Sequence, residues 1–316
     1  MMQDFCPSDV LRCIFLNLPK GPNFACRKED LTSARPARNS TMWKETLAQR
    51  RNRATAAQWD GLRLKGLASA RVRSGHRAWE IDRFFLANGP SQFSANGQGQ
   101  QGDVTKVALE LLDRVVQEAG NLRAERLFLR LSSNNPIFLM ARQAGFFPNF
   151  EETLLEGWGS PPQGVVEFAL PDWQPLSPHD EYSLFQLYCA ATPQTVRIVA
   201  GLTFDQWRNA QEAKWRQRSW VAKSNDRVVG WLGLSQHGRV TGAELLAHPN
   251  SPDLWDGLVE QALAQGGLHR WLVPDYQDVV TNLLLRRNFR AVASYSMMTK
   301  TVAVPVLTPG MAAVEA

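Results

Sequence analysis

The feature that most constrains this chain's fold is an internal repeat. Residues 113–146 and 256–289 overlay without a gap at a constant offset of 143 residues, so that Val115 meets Leu258, Phe128 meets Trp271, Leu129 meets Leu272, Ile137 meets Val280 and Phe146 meets Phe289. Each copy reads as a helix, a short buried strand, a second helix and a corner ending in Phe. A period this long that occurs only twice argues for two domains of one fold, because a solenoid needs several short repeats to bury a core. The length of 316 residues, more than one core usually organises, agrees. Residues 157–171 hold three glycines and three prolines, which places the boundary there. The expected organisation is a first domain over 1–157, with 1–40 irregular, a linker over 158–171 and a second domain over 172–316.

Composition narrows the class. Forty-four per cent apolar residues and eleven tryptophans suffice for packed cores, and no run approaches the apolar length of a membrane span. The opening residues lack a basic region ahead of an apolar stretch, so the expectation is a soluble, cytoplasmic chain with no membrane partner. Cys6, Cys13, Cys26 and Cys189 have no CxxC spacing, and the reading is of idle or buried thiols rather than a metal site. The net charge of +5 is uneven: residues 27–76 carry twelve Lys/Arg against four acids, with Trp43 and Trp59 among them. Such a segment can meet phosphate backbones or an acidic partner, or simply be solvated surface.

The pattern predicts a strand at Val10–Leu16, a helix from Thr41 to about Ala56, and strands at Leu62–Arg73 and Arg77–Leu86 joined by Ser74-Gly75-His76. Residues 88–102 read as a loop, and Asp103 as the cap of a helix whose apolar face includes Val104, Val107, Ala108, Leu111, Leu112, Val115 and Val116. A strand at Glu125–Leu131, a helix at Pro136–Gln143 and a strand at Phe146–Leu155 close the first half. The second half reads as helices at 180–191 and 203–213, then three strands at 219–223, 227–235 and 239–247. A helix at 253–264, a strand at 270–274, a helix at 278–286 and a strand region over 289–304 follow.

Two helices, three meandering strands, then helix, strand, helix and strand is the order of the GNAT acyltransferase superfamily, which the second half resembles throughout and the first half from Leu62 to Leu155. The residues carrying the resemblance are Trp79-Glu80-Ile81-Asp82, Leu127-Phe128-Leu129-Arg130 and Ala144-Gly145-Phe146 in the first copy. In the second they are Val228-Val229-Gly230-Trp231, Ala243-Glu244-Leu245-Leu246 and Asn288-Phe289. The resemblance implies an α/β fold with two tandem domains, each a mixed, mostly antiparallel sheet flanked by helices. It also implies acetyl-CoA as co-substrate, its diphosphate cradled by main-chain N–H groups at a helix start and its pantetheine arm lying between splayed strands. An acceptor amine then attacks the thioester directly while a carboxylate takes its proton.

Carried onto this sequence, the resemblance points to Glu80 and Asp82 as the carboxylates, two apart on one strand face. It implies cofactor contacts at Phe85, Leu86, Gly99, Gly102, Asp103, Val104, Thr105, Asn134 and Asn135. The phosphate loop departs from the family pattern: Gly99–Val104 keeps one glycine, and Ser94–Gly99 keeps both but several residues from the helix start. The second domain's turn, His248–Pro252, has no glycine and two prolines, which removes donors. Counting to the position of the tyrosine that commonly protonates the leaving thiolate lands on Ala141 and Leu284. The reading is therefore an acetyl-CoA-dependent N-acyltransferase acting on an unknown amine from its first domain, the second domain being degenerate. The alternative is an inactive interaction module that binds a protein or nucleic acid through residues 27–76.

Overall fold

The computed structural model describes residues 2–4, 22–33, 52–61, 63–87, 98–159, 173–212 and 217–302. The first half supplies β1 (Met2–Asp4), α1 (Lys28–Leu31), β2 (Arg53–Asp60), β3 (Arg63–Val72), β4 (Ala78–Leu86), α2 (Gln98–Asn121), β5 (Arg126–Ser132), α3 (Phe138–Gln143) and β6 (Phe147–Gly159). The second supplies β7 (Trp173–Pro175), α4 (Glu181–Ala191), α5 (Gln194–Ala200), α6 (Phe204–Ala210), β8 (Gln217–Ser224), β9 (Arg227–His237) and β10 (Val240–Ala247). It ends with α7 (Leu254–Leu263), β11 (Gly267–Pro274), α8 (Asp278–Arg286) and β12 (Arg290–Thr301).

These strands form one sheet of twelve in the order β1-β2-β3-β4-β5-β12-β6-β11-β10-β9-β8-β7. Only β4–β5 and β10–β11 are parallel pairs. The order reveals an exchange. The last strand of the second half, β12, pairs with β5 of the first, while the last strand of the first half, β6, pairs with β11 of the second. β12 and β6 also pair with each other, which fuses two sheets into one. Gly157 and Gly159 make the crossing sterically feasible: an added Cβ would lie 2.4 Å from the Phe289 ring and 2.5 Å from the His269 ring.

The repeat extends to backbone detail. Gly145 (φ +83°) and Asn288 (φ +62°), 143 residues apart, both end a helix in the left-handed conformation. Their neighbours repeat the same cap, Phe146 N donating to Ala141 O (2.9 Å) and Phe289 N to Leu284 O (3.1 Å). Ala141 and Leu284 are thus buried cap positions within helices, not sites for a catalytic side chain. On one face of the sheet α2 buries the apolar stripe that its spacing predicts, against Trp79, Ile81, Phe84 and Leu86 of β4. On the same face of the second half α7 and α8 cover Leu245, Trp271 and Val273. The opposite face carries α4 and α6, whose Leu184, Tyr188 and Trp207 pack on Val221 and Trp231.

Three expectations are corrected. The helix expected up to Ala56 gives way to β2 from Arg53, because Ala54 and Ala56 are small enough to lie flat beneath α2; residues 41–51 and the strand expected at 10–16 lie outside the described residues. The loop expected through Gly102 is already helical from Gln98, since glutamine favours helix and α2 tolerates two glycines in its first turns; Asp103 is inside the helix and not its cap. The N-terminal region, expected to be irregular, contributes β1 at the sheet edge and a packed segment at residues 22–33. α5 was not anticipated, and β12 carries two register shifts against β6.

His269 ties the exchange to pH. Its ring is fully buried, accepts a hydrogen bond from Trp271 Nε1 at 3.2 Å and lies edge-on to Phe289. Burial pushes its pKa down from 6.5 to about 4. The folded chain therefore keeps the ring neutral where the unfolded chain protonates it, so stability is complete above about pH 6.5 and falls as the pH drops towards 4. Between about pH 7 and 5 this costs roughly 2 kcal/mol. Urea unfolding of wild type and His269→Gln at both pH values should show the variant losing less stability on acidification; equal losses would contradict the assignment.

Candidate functional site

Each parallel strand pair holds together at one end and parts at the other. β4 and β5 pair only over Ala78–Ile81 and Arg126–Leu129. Beyond this the gap is filled by the chain's own residues 22–27. Phe24 N donates to Phe84 O and Cys26 N to Arg130 O, both at 2.9 Å, and Ala25 bridges Leu131. Asn23 doubles the link, its Nδ2 donating to Asp82 O (3.0 Å) and its Oδ1 accepting from Phe84 N (2.8 Å). Asn135 Nδ2 donates to Phe24 O at 3.1 Å. Splayed strands leave N–H and C=O groups without partners, and this segment supplies them. Burial pushes the Cys26 thiol up to about 11, so it is a packed, unreactive group.

The carboxylates expected to do chemistry in this half are engaged. Glu80 meets Arg71 (Nε to Oε1, 2.6 Å) and Arg73 (Nε to Oε2, 3.3 Å). Asp82, fully buried, receives both terminal nitrogens of Arg53 at 2.7 and 3.0 Å, with Arg83 Nε at 3.8 Å. Burial alone would raise the Asp82 carboxyl, but the Arg53 guanidinium outweighs it and holds the group below the usual range. The register shift between Ser69/Arg83 and Ala70/Ile81 leaves Asp82 unpaired as a bulge on β4.

The other residues named from the resemblance are dispersed. Leu86, Asp103 and Val104 line a cavity of about 200 Å³ at the start of α2, where Lys65 approaches Asp103 (3.3 Å) and Asp60 (3.5 Å). Phe85 is buried, Asn134 is exposed, Thr105 is half-buried, Gly99 and Gly102 lie on the helix, and Asn135 secures the inserted segment. Much of the basic 27–76 segment also turns inward. Arg27 pairs with Asp30, Lys28 with Glu244, Arg53 with Asp82 and Arg71 with Glu29, while Trp59 is buried.

In the second half the same parting stays open. β10 and β11 pair only over Val240–Thr241 and Leu268–His269, and beyond this Ala243–Leu246 and Trp271–Pro274 wall a cavity of about 230 Å³. α4 and α6 roof it with Leu184, Tyr188 and Trp207, and Lys28 of α1 and Thr32, just after it, close one side. Charges from both halves meet at its floor. Arg130 joins Glu152 (2.6 Å) and Glu212 (2.5 Å), Arg73 reaches Glu212 at 3.3 Å, and the Arg73 guanidinium stacks 3.9 Å from the Phe128 ring centre. Glu212 arrives from the second half because the turn at Ser74 and Gly75 bonds the backbone of Gln211 and Asn209. Burial would raise its carboxyl, but Arg130, Arg73 and Lys28 hold it well below the ordinary range.

Glu244 differs from Glu80 and Asp82. Lys28 Nζ (3.0 Å) and Gln217 Nε2 (3.3 Å) both approach its Oε1, and its Oε2 has no partner among the described residues. Two tyrosines also line the cavity. Burial first, then Tyr188, Glu152, Asp275 and Glu244, push the Tyr276 phenol upward, so it stays protonated. Tyr188 is likewise raised by burial, and its hydroxyl has no hydrogen-bond partner among the described residues. Sequence reasoning missed both, because it searched α3 and α8 for a tyrosine whereas Tyr276 sits in the turn between β11 and α8.

The coenzyme A thioester that the sequence resemblance implies meets only part of its requirements here. The parted β10 and β11 leave room for an extended arm, although Gln277 Nε2 already donates to Leu245 O at 3.0 Å. The diphosphate finds no cradle at the next turn. His248 N bonds Val229 O, Asn250 N bonds His248 Nδ1, Ser251 N bonds His248 O, and Pro249 and Pro252 have no N–H. Asp253 and Asp256 add negative charge at the start of α7.

No family model matches the sequence, and no curated protein matches it. Solved structures do. A GCN5-related N-acetyltransferase from Sphaerobacter thermophilus superposes with a TM-score of 0.53 at 13% identity, covering 98% of each chain. A putative acetyltransferase from Pyrococcus horikoshii (TM-score 0.49, 13% identity, 96% of this chain and 90% of that one) and a tandem GNAT protein from the clavulanic acid biosynthesis pathway (0.47, 13%, 96% and 99%) are also similar. The chain has the mixed α/β fold of GNAT acetyltransferases in tandem. At this identity the likeness concerns the fold alone.

A buried ion pair that loses one partner strands the other charge, at about 3–5 kcal/mol. Asp82→Ala should therefore destabilise the chain by that amount in urea unfolding, whereas a loss under about 1 kcal/mol would contradict a buried Arg53–Asp82 pair.

Proposed function

We propose that this chain is an N-acyltransferase that works from its second half, using an acyl thioester as donor and an amine held in the cavity as acceptor. One observation carries the reading: Glu244 is a carboxylate with an unengaged oxygen, standing on the open side of the parted strands, while Glu80 and Asp82 are held by arginines. The donor supplies the activated acyl carbon. Glu244 Oε2 takes the proton that the amine loses as it becomes an amide, with Lys28 and Gln217 fixing the carboxylate through Oε1. The Tyr276 phenol, kept protonated by its surroundings, donates a hydrogen bond to the charge developing on the leaving sulfur, which takes its proton from water. Trp207, Trp231 and Leu272 line the cavity with apolar surface.

A second reading, binding without transfer, is favoured by the engaged amides of the turn after β10. Thiol release from acetyl-CoA over a panel of small amines separates the two. Transfer predicts release by wild type, a drop of roughly 10²–10⁴ in kcat/KM for Glu244→Gln, and a change within about threefold for folded Glu80→Gln. An unaffected Glu244→Gln enzyme would remove the proposed base, and a wild type that releases no thiol with any amine supports binding alone.

A further inference from the structure

We propose that the chain holds its acyl donor by an extended, amide-bearing arm alone, and so takes thioesters that lack the nucleotide diphosphate of coenzyme A. The proposal rests on the acyltransferase reading only for the ligand's being a thioester. The first half shows what a parting binds. An extended chain lies between its strands, with Phe24 N donating to Phe84 O, Cys26 N to Arg130 O and the Asn23 side-chain amide to Asp82 O. In the second half Ala243–Leu246 and Trp271–Pro274 part in the same way, and a side-chain amide again reaches across, Gln277 Nε2 donating to Leu245 O at 3.0 Å. Strand edges of this kind are satisfied by an extended ligand with amide N–H groups. Trp207, Trp231 and Leu272 offer apolar surface to the methylenes between those amides.

A nucleotide head meets the opposite conditions. In the turn after β10, Pro249 and Pro252 have no N–H. The amides of His248, Asn250, Ser251, Leu254 and Trp255 are bonded within the chain, which leaves Asp253 N as the remaining backbone donor of the turn among the described residues. Asp253 and Asp256 set two carboxylates at the start of α7, where a diphosphate needs positive charge. Arg287, the cation that reaches this helix, is bonded to Asp256 at 3.0 Å and to Glu260 at 2.6 Å. The first half supplies no substitute. Leu86, Asp103 and Val104 line a cavity at α2, but residues 22–27 occupy the parting beside it, where the arm would lie.

Titration calorimetry on the full chain without any amine tests this, with S-acetylpantetheine, acetyl-CoA and adenosine diphosphate as probes. The two thioesters are expected to bind with Kd values within about threefold of each other, and adenosine diphosphate not to bind. Gln277→Ala, which frees Leu245 O for a ligand amide, should tighten both thioesters by the same factor, about threefold or more. Acetyl-CoA binding at least about tenfold tighter than S-acetylpantetheine, as a gripped diphosphate would produce, overturns the proposal. Saturable binding of adenosine diphosphate, no binding of either thioester, or unchanged binding in Gln277→Ala does so too. An acyl carrier protein bearing the acetylated phosphopantetheine arm separates the sources of such a ligand: binding about tenfold tighter than the free arm supports a protein-borne donor, and equal or weaker binding supports a free thioester. A chain that binds both thioesters alike yet transfers nothing loses the transferase reading and keeps this one. A chain that transfers from acetyl-CoA but not from S-acetylpantetheine does the reverse.

Discussion

The exchange of last strands is the constraint on which the rest of the structure depends. β6 runs beside β11 from Glu152 to Gly159, and β12 beside β5 from Tyr295 to Thr301, so neither half completes its own sheet. The twelve strands share one hydrogen-bonded ladder, and the two places where parallel strands part lie on either side of the exchanged pair. The exchange also sets the charges. Glu152 comes on β6 to meet Arg130 of β5, and the segment ending in Glu212 reaches across to Arg130 and Arg73. Removing charges from water is expensive, so such a chain of buried pairs is a weak source of stability and a strong source of registry: each residue has one place where its charge is matched.

Duplication has given the two partings opposite fates. In the first, residues 22–27 satisfy the strand edges with four hydrogen bonds and put Phe24 into the core. In the second, one side chain, Gln277, spans to β10 and the remainder is cavity. The same N-terminal segment links the two: it fills the first gap and, one turn later, places Lys28 against Glu244 in the second. α1 therefore belongs to both halves, with Glu29 bonded to Arg71, and Ser33 O accepting from Arg270 Nη1 at 3.0 Å.

What the sequence makes legible is local. The apolar stripe of α2, the helix, strand and corner of each copy, and the turn at Asn225-Asp226 follow from periodicity and from residues that tolerate positive φ. The exchange was not legible, because β5 and β6 are compatible by pattern with several neighbours and only the assembled sheet selects among them. Nor was the inserted segment, since residues 22–27 carry no period of their own and gain their partners from strands about 60 and 105 residues away. The proposed site departs from the residues the sequence singled out for a related reason. Glu80 looks available until the β3–β4 register sets Arg71 opposite it, whereas Glu244 looks inert beside a turn without glycine until the strands part.

The central claim is that the chain fills the parting in its first half and leaves the second open. Native-state hydrogen exchange on the free protein reads it most directly, at the amides of Phe24 and Cys26. The account predicts protection comparable to that of Phe85 in β4, which pairs with Leu67 of β3, and Leu129 in β5, because all four would be released only when the fused sheet opens. Exchange of Phe24 and Cys26 at the rate of an unstructured peptide, with Phe85 and Leu129 still protected, would show the first parting to be open and contradict this account.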